Sequence, residues 1–209
     1  MNKSTLVIAA IAGAAMSTSA MGAITITQGP AQQAFIDYEI NFDEPGVPTG
    51  VTLPTNFYQG SHGATITPGQ AGTGGVYDWS TYLGFPTGTG LSYLGPNGVT
   101  FVFDYAVTGL DLQMLDPAGP GGPFGGGARI DLFDNGSTVG SLFFGPAWGG
   151  TGDEWLHVIA DGGDSFDSFT VQGFGNPPTT YIDNVTWTPA PGSLALLGFA
   201  GMAMRRRRA

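Results

Sequence analysis

The chain has no cysteine. Disulfides, thiolate metal sites and a cysteine nucleophile are therefore excluded, and an exported form has to draw its stability from its core. Basic residues are almost as scarce: there are six in 209 residues, and they are unevenly placed. Lys3 lies near the start and Arg205, Arg206, Arg207 and Arg208 at the end, which leaves Arg129 as the sole cation between them. All sixteen acids lie between Asp37 and Asp183, so the body has a net charge of 1 − 16 = −15. A surface that negative repels phosphate backbones, which excludes nucleic acid as a partner. Lys, Glu, Gln and Arg are rare in the body, and no capped segment of helical period longer than about ten residues appears in it.

Glycine, proline and aromatics are plentiful instead. Gly at 36 and Pro at 15 supply turns, while 42% apolar and 12% aromatic residues are too many for a disordered chain. After removal of a leader and a tail, about 165 residues remain, enough for one domain with a sizeable core.

The leader is residues 1–22. Asn2-Lys3 is a short charged start, Leu6 to Ala15 an apolar run too short to span a bilayer, and Ser17 to Ala23 a small, polar stretch fit for cleavage near Gly22. This is the pattern of a secretory signal peptide, a signal helix removed on export through the Sec translocon. At the other end, residues 189–209 form a tail. Pro189-Ala190-Pro191-Gly192 interrupts any strand, Ser193 to Met204 has no charge, and the four arginines follow. A short transmembrane helix with arginines on the cytoplasmic side would leave the body outside.

This tail resembles the PEP-CTERM sorting signal of Gram-negative bacteria, with Pro189 and Pro191 bracketing Ala190 where the family has Glu, and with Arg205 to Arg208 as the basic cluster. The resemblance implies a membrane-anchored precursor, recognition by an exosortase-like membrane protease, and delivery to the cell surface or extracellular matrix.

Residues 23–188 read as an all-β domain. Val99 to Tyr105 and Leu110 to Met114 alternate with period two, and Arg129 to Phe133 and Thr138 to Phe144 flank an Asn135-Gly136 hairpin turn. Phe35 to Phe42, Ala64 to Thr67, Trp155 to Ala160, Phe169 to Phe174 and Thr179 to Trp187 complete a set of roughly nine strands without intervening helices. The expected architecture is an antiparallel β-sandwich or jelly roll. Its Ile40-Asn41-Phe42-Asp43-Glu44 and Tyr181-Ile182-Asp183-Asn184-Val185 segments resemble the first and last strands of the sandwich domains that carry such tails. That likeness implies that the two strands lie together, and it proposes Asp43, Glu44 and Asp183 as ligands of a structural calcium ion.

The acid excess suits calcium, yet no EF-hand loop is present, and Asp161 to Asp167 is better read as turn residues. Catalytic chemistry has little to draw on. His62 and His157 are the two histidines, neither lies in a nucleophile elbow or zinc-binding helix, and adjacent Ser61 and His62 are expected to point apart. Tyr77, Trp79, Tyr82 and Trp148 sit in glycine-flanked positions and offer flat faces for sugar rings. The sequence therefore points to a non-catalytic, structural or adhesive surface protein in contact with extracellular polysaccharide. The alternatives are a carbohydrate-binding module and a carbohydrate-active enzyme.

Overall fold

The computed structural model describes residues 23–33, 37–69, 74–78, 89–94, 97–115, 127–144, 155–174 and 179–192. Eleven strands are found there: β1 (Ile24–Gly29), β2 (Tyr38–Ile40), β3 (Ala64–Pro68), β4 (Gly74–Asp78), β5 (Thr89–Leu94), β6 (Val99–Leu115), β7 (Ala128–Asp134), β8 (Ser137–Phe144), β9 (Trp155–Ala160), β10 (Phe166–Gly173) and β11 (Thr179–Pro189). The helix α1 (Gln59–His62) is one turn long, and Pro191 and Gly192 after β11 are also helical. The described residues are thus mostly antiparallel sheet with almost no helix, while the expected signal helix and transmembrane helix fall on residues 1–22 and 193–204, outside the described residues.

The long strand β6 organises the fold. Its first half pairs with β3 and β10, and β10 continues through β7 to β8. Its second half pairs with β9 and β11, which continue to β1 on one side and to β2 and β5 on the other. Between the halves the inward phase changes. Val99, Phe101, Phe103 and Val107 are buried at odd positions, whereas Leu110, Leu112 and Met114 are buried at even ones. Side chains alternate strictly along a regular strand, so such a switch needs an irregularity. It coincides with register shifts in the partner strands, at Phe166/Ser168 on β10 and Thr188/Pro189 on β11. The sequence splits β6 into two strands because it shows two alternations of opposite phase, and the structure joins them in one strand across that irregularity.

One core cluster joins both halves of the sheet. Phe101 stacks on Phe169 at 4.6 Å and 8°, and fully buried Trp187 stacks on Tyr38 at 5.5 Å and 12°. The Asn135-Gly136 turn forms as expected, with φ of 49° and 77°. The expected adjacency of early and final strands is also present, as β2 pairs with β11. In addition, β1, β4 and β5 are strands that sequence reasoning leaves as loop.

Candidate functional site

The outward face of β8, β7, β10, β6 and β3 carries the most distinctive surface. Its inward positions, such as Ile130, Leu132, Phe169, Val171 and Phe101, fill the core, so the residues between them must face out. A row of polar residues crosses all five strands: Ser141 opposes Asp131, Asp131 opposes Thr170, Thr170 opposes Thr100, and Thr100 opposes Thr67. The Thr100 and Thr170 hydroxyls are 2.8 Å apart, and Ser141 Oγ donates to Asp131 Oδ1 at 2.7 Å.

The next row is Phe143–Arg129–Gln172, beside Phe174 just past the end of β10. Phe143 is 64% exposed and Phe174 43%, with ring centroids 5.7 Å apart. The Arg129 guanidinium lies 5.9 Å from the Phe174 centroid, a cation–π arrangement, and its Nε donates to Asp131 Oδ2 at 2.7 Å. The sole cation of the body is thus held at an exposed aromatic pair and fixed by a carboxylate. Two large exposed rings thus lie together beside oriented polar groups, which makes this face the candidate binding surface.

A second, buried polar arrangement lies on β9, β6 and β11. His157 opposes Asp111, and Asp111 opposes Thr186, while Gln113 opposes both Trp155 and Asp183. Asp111, Gln113, His157, Asp183 and Thr186 are the buried polar residues among those described, and they all belong to these two rungs. His157 Nδ1 lies 2.8 Å from Asp111 Oδ1, Asp111 Oδ2 accepts the Gln33 N–H, and Gln32 Nε2 donates to Thr186 Oγ1 at 3.3 Å. Gly29 faces the other ring nitrogen, where an added Cβ would come within 2.9 Å of His157 Nε2. Burial raises the Asp111 carboxyl above its usual range, against the opposing pull of His157. His157 is therefore occupied by structure, at 3% exposure.

The residues suggested as calcium ligands lie in one electrostatic neighbourhood, since Asp43 and Glu44 both act on Asp183. Asp43 is exposed, Glu44 accepts from the Tyr58 hydroxyl at 2.9 Å and from the Asn41 N–H at 3.2 Å, and buried Asp183 accepts the Asn184 N–H at 2.8 Å. Burial, then the charges of Asp43, Glu44 and Glu39, push Asp183 up to about 7 despite the Asn184 bond. The Tyr58 phenol is raised by burial and by Glu44. No group of three His, Asp or Glu among the described residues is placed to hold a metal ion.

Other sequence candidates divide similarly. Trp79, Tyr82 and Trp148 lie outside the described residues, as do Arg205 to Arg208. Pro189 closes β11 and Pro191 is exposed beyond it. Ser61 and His62, both in α1, do not point apart: Ser61 Oγ is 2.7 Å from His62 Nδ1. His62 also contacts the Tyr38, Tyr58 and Trp187 rings, which makes it an edge of the core. The Phe143–Phe174 pair is the feature sequence reasoning missed. Its signal was the lone cation Arg129 in a strand whose hairpin partner ends in adjacent phenylalanines.

No family model matches the chain, and no curated protein resembles it in sequence. Among solved structures, the K2 cleaved adhesin domain of Lys-gingipain is 11% identical with a TM-score of 0.46, over 73% of this chain and 98% of that one. TmCBM61 in complex with β-1,4-galactotriose is 7% identical with a TM-score of 0.34, over 67% and 99%. A family 6 carbohydrate-binding module is 14% identical with a TM-score of 0.29, over 60% and 94%. Similarities this distant assign no activity to the chain.

Proposed function

We propose that the chain is an exported, non-catalytic carbohydrate-binding domain that meets polysaccharide on the β8–β7–β10 face. One observation carries this reading: Phe143 and Phe174 present adjacent, exposed rings beside Arg129, Asp131 and a row of hydroxyls. Sugars have apolar C–H faces that stack on aromatic rings and hydroxyls that pair with carboxylate, guanidinium and hydroxyl groups. A net charge of −15 on the body disfavours polyanionic chains, so the favoured ligand is a neutral glycan. The sequestered His157 and the structural contacts of His62 support a binding role over catalysis.

Export and surface display follow from the leader and tail as proposals of the sequence. Under that reading the leader directs the chain through the Sec translocon and the tail presents it to an exosortase-like protease. Retention of the purified protein on insoluble neutral polysaccharides tests the binding function. Wild type should be retained and Phe143→Ala/Phe174→Ala should pass into the unbound fraction. Equal behaviour of both proteins would refute the assignment of this face.

A further inference from the structure

Beside the exposed rings lie one cation and one carboxylate, and the carboxylate is already engaged on both oxygens. Asp131 Oδ2 accepts from Arg129 Nε and Asp131 Oδ1 from Ser141 Oγ, each at 2.7 Å. The two side chains differ in access, Arg129 being 45% exposed and Asp131 17%. Among the described residues Nε is the only Arg129 nitrogen given an acceptor, so the guanidinium keeps the donors of its two Nη groups for a ligand.

Position decides what those donors meet. Arg129 sits on the rung between Phe143 and Gln172 and 5.9 Å from the Phe174 centroid. Asp131 lies two residues further along β7 on the same face, about 7 Å away along the strand. A sugar stacked on the rings therefore meets the guanidinium first and the carboxylate behind it. Left alone, a guanidinium prefers carboxylates to hydroxyls, because the charge-assisted, bidentate pair is the stronger one. An unpaired arginine here would select acidic polysaccharides.

We propose that Asp131 is the specificity-determining residue of this face: it neutralises Arg129, holds it as a donor to the hydroxyl oxygens of neutral sugars, and opposes uronate-containing chains by like charge. The proposal rests on the glycan-binding reading above. Arg129 touches the sugar in this arrangement, and Asp131 acts through it as a positioning residue. The net charge of the body does not give the same discrimination, since charges beyond about 8 Å are largely screened at physiological salt, whereas a carboxylate in contact with the donor is not.

Retention of the purified full chain is measured on insoluble cellulose, mannan and curdlan, and on the same polymers with the primary alcohol oxidised to the carboxylate. Wild type should prefer the neutral form of the polymer it binds by roughly tenfold or more. Asp131→Asn keeps the shape and an acceptor oxygen, so it should shrink that preference at least about fivefold while leaving neutral binding within about threefold of wild type. Asp131→Thr, also uncharged and favoured in strands, should shift it in the same direction and serves if the first variant does not fold. Asp104→Asn removes one negative charge from an exposed site elsewhere on β6 and should keep the wild-type preference. An unchanged preference in the Asp131 variants, or an equal shift in Asp104→Asn, overturns the role of Asp131 and leaves the binding face standing. Retention of wild type on none of the neutral polymers overturns the binding reading itself.

Discussion

Asp111 and His157 face each other across β6 and β9 with 2.8 Å between Oδ1 and Nδ1, and both are almost fully buried. A buried polar pair is expensive to break and cheap to replace as a unit. Asp111→Ala should therefore lower the unfolding free energy by about 3 kcal/mol, and Asp111→Leu/His157→Leu should cost clearly less than the sum of its single variants. Urea denaturation of the four proteins completes the double-mutant cycle. Additive costs would show that the pair is not coupled.

The pH dependence has a definite sign at Asp183. Its folded value, pushed up to about 7, lies above the ordinary 3.8, so the native state binds this proton more tightly than the unfolded chain. The resulting stability is fully present below about pH 4 and is lost as pH rises through about 7. Asp183→Asn removes that dependence. Relative to the variant, the wild type should become progressively less stable between pH 4 and pH 8. A constant difference across this range, measured by thermal melting, would contradict the effect of burial and of Asp43, Glu44 and Glu39 on this group.

Two glycines separate conformational cost from steric cost. Gly136 has φ of +77° and open space where a side-chain carbon would stand, whereas Gly98 has φ of +67° and a Cβ there would fall 2.2 Å from Val171 O. Gly136→Ala should cost about 1 kcal/mol, the penalty of left-handed backbone alone. Gly98→Ala adds a collision with the backbone of β10 and should cost roughly 3 kcal/mol or more. Similar denaturation midpoints for the two variants would show that β10 yields freely at this position.

Strand locations were legible where alternation met a clear boundary. Trp155–Ala160 matches its expected span, and β7 and β8 differ from theirs by a residue at one or both ends, because the Asn135-Gly136 turn sets their register. Ile24-Thr25-Ile26-Thr27 also alternates, but it abuts the leader, where small and apolar residues serve secretion. The glycines in Gly74-Gly75 and Thr89-Gly90 conceal β4 and β5, whose pairing is decided by tertiary contact with each other and with β11.

The candidate site was less legible for a different reason. Leu142, Phe143 and Phe144 are consecutive, so hydrophobicity does not tell which ring faces water. The pairing of Phe143 with Arg129, rather than with a core residue, settles it. Likewise nothing local joins Phe174 to Phe143, since they meet through three strands folded side by side.

The measurement that bears most directly on the glycan-binding face is titration calorimetry with a neutral oligosaccharide selected by the retention assay. Phe143→Ala and Phe174→Ala should each weaken binding roughly tenfold or more, the worth of a lost aromatic stacking surface, while Val102→Ala, exposed on the same face away from the pair, leaves affinity unchanged. Wild-type affinity in both phenylalanine variants would contradict the account.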